Sequence, residues 1–134
     1  MLYLLDTNAL VELRRKNPVL IANLKRHPPS CLCFSVISIG EIQKGVVQHP
    51  VARAGAMWEH WRQLLAPFDA VDFTRGAAMI WGRLLHETRK QQIGPRDLLI
   101  AATALADGMV VVTHNTREFN RIEGLGVEDW QTGG

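Results

Sequence analysis

The chain has 134 residues, of which 47% are hydrophobic and 21% are charged, and its formal net charge is +2. This length fits one domain with its own core, so we expect residues 1–134 to form a single domain. No apolar stretch reaches the roughly 18 residues that a membrane-spanning helix needs. The N-terminus also lacks the pattern of a secretion signal. We therefore expect a cytoplasmic protein that makes no membrane contact.

The only two cysteines, Cys31 and Cys33, fall in a short apolar run. Two residues apart on a strand, they are predicted to point to the same face, which is awkward for a disulfide. No other cysteine or histidine lies nearby at the spacing of a zinc site. We interpret both as buried, small hydrophobic side chains.

Short apolar runs and helical patterns alternate in the first half of the chain. Residues 2–5 predict a buried strand. Asn17 and Pro18 are a strong start for a helix that runs to about residue 25. A second strand is predicted over residues 30–34, and Ser35 is the expected N-cap of the helix that follows it.

The second half continues the same alternation. Helical periodicity, alternating apolar residues and breaks at Gly94-Pro95 and Asp107-Gly108 divide it into elements. These are helices over 51–65, about 77–90 and 96–106, and strands over 68–73, 109–113 and, at the sheet edge, 126–130. Strands that alternate with helices predict a mainly parallel sheet covered on both faces, which is a three-layer α/β/α domain.

Asp6 follows the first predicted strand and admits two interpretations. In open α/β sheets, ligands bind beyond the carboxyl ends of the strands, where Asp6 would lie. Alternatively, Asp6, Thr7 and Asn8 are all good helix caps, and residues 9–13 could be the helix that they begin. Asp6 alone does not decide between these interpretations.

Three further polar clusters fall at comparable element boundaries. Glu41 lies one turn inside the helix after the second strand, Asp97 begins the helix after Gly94-Pro95, and Asn115 follows the strand at 109–113 with Glu118 three residues later. Each has a simpler explanation: a Ser38–Glu41 capping box, a favourable helix dipole for Asp97, or a turn at Asn115. Four such clusters at one edge of a parallel sheet favour a site instead.

Converging carboxylates repel one another unless a cation neutralises them. A set of oxygen ligands without cysteine or clustered histidine suits a hard ion, Mg²⁺ or Mn²⁺. Such an ion stabilises charge on a phosphoryl oxygen and lowers the pKa of a bound water. The pattern therefore predicts hydrolysis of a phosphodiester.

Four segments together carry a family resemblance. They are LLDTN at 4–8, SVISIGEI at 35–42, DLLIAATA at 97–104 and VTHNTREF at 112–119. In this order, over nearly the whole chain, they resemble the PIN-domain ribonucleases and, among these, the VapC toxins of bacterial toxin–antitoxin pairs. The resemblance implies a PIN-like fold.

The resemblance also implies roles for individual residues. Asp6, Glu41 and Asp97 take the places of the family's three acidic residues, with Asp6 and Asp97 as the Mg²⁺ ligands. The fourth acidic position falls on Asn115, which is neutral and departs from the family pattern. Glu118 supplies the missing carboxylate if the segment after Asn115 is helical and places both on one face.

The implied activity is metal-dependent cleavage of cellular RNA, either transfer RNA or another structured RNA, leaving a 5′-phosphate. Thr7, Asn8, Arg96 and Arg117 flank the acidic residues and are predicted to bind the substrate. Two alternatives stay open: an RNA-binding domain that no longer cuts, and a phosphoryl-transfer enzyme with Asp6 as nucleophile.

The implied partners are a small VapB-like antitoxin that covers the acidic cleft and a second copy of the chain. The sequence gives one further reason to expect a homodimer. Met57, Trp58 and Trp61 lie on one predicted helix and Trp81 on another, which is a large aromatic surface for so small a core. The alternative is that all of these side chains belong to the core.

Overall fold

The structure is a computed structural model and describes residues 1–132. Helices and strands alternate from the first strand to the last. The strands are β1 Tyr3–Leu5, β2 Leu32–Ser35, β3 Asp69–Val71, β4 Val110–Val112 and β5 Val127–Glu128. The helices are α1 Thr7–Arg14, α2 Pro18–Leu24, α3 Val36–Val46, α4 Val51–Leu65, α5 Arg75–Glu87, α6 Pro95–Ala106 and α7 Thr116–Phe119.

The five strands form one parallel sheet in the order β3-β2-β1-β4-β5. The central strand β1 pairs with β2 on one side, Tyr3 opposite Leu32, and with β4 on the other, Tyr3 opposite Val110. All carboxyl ends therefore lie at the same edge. The backbone N–H of Asp6 extends the pairing by donating to the Val112 carbonyl at 3.0 Å.

Helices cover both faces of this sheet, which confirms the predicted three-layer α/β/α fold. Successive strand residues alternate between two cores, as the pleat requires. Leu5 is buried against α1, α2, α3 and α4, whereas the adjacent Leu4 is buried against α5, α6 and α7. Both leucines are at most 1% exposed.

Helix α6 brings a run of small side chains to the second core. Ala101, Ala102 and Ala104 are each fully buried, and the neighbouring Thr103 is 1% exposed. Side chains this small allow the helix axis to come close to its neighbours. Because α6 leads directly into the parallel strand β4, its first turn lies at the carboxyl edge of the sheet.

Several predicted helix boundaries are confirmed by their caps. The Asn17 carboxamide oxygen accepts from the backbone N–H groups of Val19 and Leu20 at the start of α2. The Ser35 hydroxyl accepts from the N–H of Ile37 at the start of α3. Gly108, with φ of 64°, occupies the left-handed conformation after α6.

The strand predictions were right in place but too long. Residues 30 and 31 belong to a 3₁₀ turn, Pro29–Cys31, because the prolines before them fix a helical φ and remove N–H donors. Cys31 therefore does not share a strand face with Cys33, and that expectation was wrong. Both cysteines are free, and only Cys33 is fully buried.

The aromatic residues on α4 and α5 are mostly absorbed by the two cores. Trp61 is 4% exposed, and the half-buried Met57 and Trp58 pack against the same core. Trp81 is half-buried on the other face, where its ring meets Phe73 edge-on. These rings give little support to association, and the homodimer stays a prediction. Within residues 1–132, no helix is both long and apolar enough to cross a membrane.

Candidate active site

Asp6 lies between the end of β1 and the start of α1, and both interpretations of this residue apply. Its Oδ1 accepts from the N–H of Ala9 at 2.8 Å, so it is the N-cap of α1. It also lies at the carboxyl edge of the central strand, where it is 3% exposed. Burial raises the pKa of Asp6, and bonds from Thr113 and Ala9 oppose that rise.

Asp97 is the third residue of α6, where the N-terminal helix dipole favours a negative charge. Its pKa is nevertheless raised to about 6, first by burial, then by a hydrogen bond with Glu118 and by the charge of Glu118. The charge of Asp6 raises it further, which puts the two aspartates within electrostatic reach of each other. Asp97 is thus a carboxylate whose negative charge its surroundings do not compensate.

Asn115 joins Asp97 to Glu118. Its Nδ2 donates to Asp97 Oδ2 at 3.1 Å and to Glu118 Oε2 at 2.9 Å. The segment after Asn115 is the helix α7, so the condition for placing Asn115 and Glu118 together is met. The bond from Asn115 is the main reason that the pKa of Glu118 is lowered, and the N–H of Gly94 also contributes.

Glu41 lies on α3, on the other side of Asp6, and both of its oxygens are engaged. Thr7 Oγ1 donates to Oε1 at 2.8 Å, and Arg96 Nη1 is 3.3 Å from Oε2. Ser38 is not part of a capping box, because Ser35 caps α3 and the Ser38 hydroxyl bonds Thr7 at 2.8 Å. Glu41 is therefore held in one position by neutral and positive donors.

Two pockets flank these side chains. One of about 260 Å³ is lined by Asn8, Glu41, Gly94, Pro95, Arg96 and Asp97. The other, of about 310 Å³, is lined by Gln92, Asn115, Arg117, Glu118 and Arg121. Asp6, Glu41, Asp97 and Glu118 lie at the carboxyl edge of the sheet, which we call the acidic edge. Three of the four predicted substrate residues border it, namely Asn8, Arg96 and Arg117. Thr7, the fourth, is occupied in holding Glu41.

A divalent ion fits part of this arrangement. Within residues 1–132, no three carboxylate, imidazole or thiolate side chains are close enough together to enclose a metal ion. Asp6 and Asp97 offer oxygen ligands, and burial, the main cause of their raised pKa values, disfavours a negative charge that a bound cation would stabilise. Glu41 differs, since a metal could reach its Oε2 only in competition with Arg96.

The sequence interpretation missed two residues around Asp6. The Thr113 hydroxyl lowers the pKa of Asp6, and the charge of Asp129 raises it. Asp129 in turn is bonded by His114 Nδ1 at 3.0 Å. Thr113 and Asp129 directly follow β4 and β5, so the rule that singled out Asp6 could have identified both.

The chain is similar to known proteins along nearly its whole length. Residues 3–125 match the PIN domain family. Ribonuclease VapC2 of Rickettsia felis is 31% identical, with 97% of this chain and 98% of that protein aligned. The tRNA(fMet)-specific endonuclease VapC of Salmonella typhimurium is 30% identical, with 96% and 97% aligned.

Solved structures are also similar along almost their whole length. VapBC2 of Rickettsia felis, bound to a DNA fragment from its promoter, superposes with a TM-score of 0.87 at 30% identity, covering 97% of this chain and 99% of that one. DNA-bound VapBC of Salmonella typhimurium gives 0.85 at 29% identity, with the same coverage. The chain therefore belongs to the PIN-domain family and, within it, to the VapC ribonucleases.

Proposed function

We propose that this protein is a metal-dependent endoribonuclease toxin that cuts cellular RNA and is neutralised by a small VapB-like antitoxin. The observation that carries the proposal is the pair of desolvated aspartates, Asp6 and Asp97, at the carboxyl edge of the central strand. Such a pair has no use in a domain that only binds a polyanion, because its charge repels phosphates. In a chain related to named ribonucleases, it is a place for a cation and a reaction.

The relatives suggest the substrate and the partner. The Salmonella typhimurium relative is named a tRNA(fMet)-specific endonuclease, which makes transfer RNA the first substrate to try. The VapBC structures are complexes of toxin–antitoxin systems, which supports a VapB-like partner. We further propose one domain over residues 1–134, a homodimer and action in the cytoplasm, where the RNA is found.

Asp6 and Asp97 would hold Mg²⁺ or Mn²⁺, with Glu41 joining them once Oε2 is free. When bound, the ion supplies charge stabilisation at the scissile phosphate and a water of lowered pKa. An all-oxygen ligand set favours these hard ions over zinc. The carboxylates are fixed before the ion arrives, because Ala9 holds Asp6 and Asn115 holds Asp97.

The remaining side chains would position the RNA and the ligands. Thr7 fixes Glu41, and Asn115 holds Glu118 beside Asp97. Asn8 lines the pocket beside Asp97, while Arg117 borders the second pocket. An arginine at the pocket rim attracts the phosphate backbone, which the acidic centre alone would repel.

The decisive experiment is sequencing of RNA ends after brief expression of the chain. We expect cleavage at a small number of positions in transfer RNA, each leaving a 5′-phosphate, and loss of cleavage with Asp97→Asn. Purified protein should cut the same RNA with Mg²⁺ or Mn²⁺ and stop when EDTA is added. Undiminished cutting in EDTA would refute the proposed mechanism, and binding without any new ends would favour an RNA-binding domain.

A further inference from the structure

Arg96 crosses from the first turn of α6 to α3 and closes one side of the acidic pocket. Its Nη1 lies 3.3 Å from Glu41 Oε2, although the two residues are 55 positions apart in sequence. The adjacent residue, Asp97, faces Asn115 instead. Consecutive residues of α6 therefore place a positive and a negative group at the same pocket.

The other oxygen of Glu41 is not available either. Oε1 accepts from Thr7, whose hydroxyl is fixed by Ser38. A divalent ion that used Glu41 would therefore have to replace one of two donors. Thr7 is part of a chain of short bonds that includes the buried Ser38, whereas the Arg96 side chain is 59% exposed. Arg96 is the donor that can leave, since exposed ion pairs are weak.

We propose that Arg96 is an exchangeable counter-ion of Glu41, which a divalent metal must displace before Glu41 can become a ligand. This inference rests on the proposed metal-dependent function of the same site. Arg96 then sets how readily the site takes up metal, because its guanidinium and the ion compete for one oxygen. Removing Arg96 should make the metal bind more tightly, which is opposite to the effect of removing a ligand.

Arg83 provides a matched control for this competition. It is also 59% exposed and pairs with a glutamate, Glu87, but both residues lie on α5. Arg83→Ala therefore removes the same charge and the same kind of ion pair. It does not alter the pocket bounded by Glu41 and Asp97.

The test is a titration of the purified full chain with Mn²⁺ alone. Binding is measured by calorimetry and by the electron paramagnetic resonance signal of the free ion. Arg96→Ala should lower the dissociation constant of Mn²⁺ about two- to fivefold, the range that an exposed ion pair can contribute. Arg83→Ala should leave it unchanged. No RNA is present, so the result does not depend on catalysis.

A double-mutant cycle separates the ion pair from long-range charge effects. In the Glu41→Gln background, Arg96 has already lost its charged partner, so adding Arg96→Ala should not tighten Mn²⁺ binding further. An equal decrease of the Mn²⁺ dissociation constant on Arg96→Ala in the wild-type and Glu41→Gln backgrounds would overturn the proposal, because Arg96 would then act only through long-range electrostatics. So would an unchanged constant in Arg96→Ala itself.

The same titration distinguishes this inference from the proposed function. Wild-type protein that binds Mn²⁺, combined with an Arg96→Ala variant of identical affinity, refutes the exchange and leaves the metal-dependent nuclease standing. Wild-type protein that binds no Mn²⁺ refutes both. Circular dichroism of each variant checks that the α/β fold is retained.

Discussion

The acidic edge consists of two halves that treat negative charge differently. On the α6–α7 side, Asp97 faces Glu118, and a single neutral amide from Asn115 lies between them. On the α1–α3 side, Glu41 receives one hydroxyl from Thr7 and one guanidinium from Arg96. Both halves border the same pocket, but among the described residues only Glu41 forms an ion pair there, with Arg96. Arg121 acts on Glu118 through its charge and does not pair with Asp97.

Because of this difference, the two halves should respond differently to a bound metal ion. The half without compensation stores unfavourable electrostatic energy, which is released when a cation arrives. In the compensated half the charge of Glu41 is already paired with Arg96, so a metal ion gains less binding energy there and must first displace that guanidinium. We therefore expect changes in the first half to alter affinity and rate strongly, and changes in the second half to alter them modestly.

The largest effect should follow removal of a ligand from the uncompensated half. Asp97→Asn should lower the cleavage rate roughly 100-fold or more, the range of a lost catalytic group. Asp6, the other proposed ligand, lies between the two halves at the end of β1, and Asp6→Asn should have an equally large effect. Initial rates on labelled transfer RNA at fixed Mg²⁺ measure this. Asp107→Asn makes the same chemical change at the exposed C-terminal end of α6 and should keep the wild-type rate. A near-normal rate for Asp97→Asn would reverse the assignment of the two halves.

A smaller effect should come from making the uncompensated half more negative. Asn115→Asp replaces two donated bonds with a third carboxylate, so without metal it should lower the free energy of unfolding by about 2 kcal/mol. Mg²⁺ should restore this stability, and the Mg²⁺ concentration for half-maximal cleavage should fall.

Thermal unfolding in EDTA and in Mg²⁺ measures both parts of that prediction. Asn120→Asp, which adds a charge at the exposed end of α7, serves as control and should show no metal-dependent recovery. If Asn115→Asp is equally destabilised with and without Mg²⁺, Asn115 lies outside the metal site.

The pH dependence of the metal-free protein gives a third, smaller effect. The pKa of Asp97 is raised from 3.8 to about 6 in the folded state, so deprotonation is easier in the unfolded chain. The free energy of unfolding should therefore fall as pH rises from about 4 to about 6 and stay lower above that. Since Asp97 is partly exposed, we expect about 1 kcal/mol after allowing for solvent screening.

Asp97→Asn removes this pH-dependent loss of stability, so the variant should be more stable than the wild-type protein at neutral pH in EDTA. Glu118 titrates with the opposite sign, because its pKa is lowered from 4.5, so its effect falls below that pH, whereas the effect of Asp97 extends up to about 6. Melting curves of both proteins at several pH values between about 4 and 7 provide the measurement. Parallel pH profiles would mean that Asp97 carries no uncompensated charge.

The smallest effect concerns the basic rim. Arg117→Ala should weaken binding of a single-stranded RNA only a few-fold and reduce the slope of log affinity against log salt by about 0.7, one phosphate contact. Fluorescence anisotropy in EDTA at several salt concentrations measures the slope. Arg83→Ala on α5 is the control, and identical slopes for both variants would place the RNA path elsewhere.

Much of the fold could be predicted because its signals are local. The Asn17-Pro18 start, the Ser35 cap and the glycine at 108 each act within a few residues. Parallel pairing follows from the alternation of strands and helices. The strand ends were less accurate, because a strand stops where its neighbour stops, and β5 offers only Val127 and Glu128 to β4.

The sequence indicated which side chains lie at the carboxyl edge of the sheet, but not how they contact one another. Asp6, Asp97 and Asn115 stand at or next to element boundaries, and Glu41 lies one turn inside α3, which the sequence indicates. The contact of Arg96 with Glu41 spans 55 residues and depends on how α3 and α6 are placed on the sheet. The same holds for the donation from Asn115 to Asp97, since the sequence indicated only that a neutral residue occupies the fourth acidic position.

The buried alanines of α6 have a consequence for genetic selection. Cells that survive expression of a toxic nuclease are commonly used to map its active residues. Ala101, Ala102 and Ala104 are fully buried, so a bulkier residue there should overpack the core and push α6, and with it Asp97, away from the edge. Survivors should therefore cluster on this helix as densely as on the carboxylates, and only their protein levels and melting temperatures would separate the two groups.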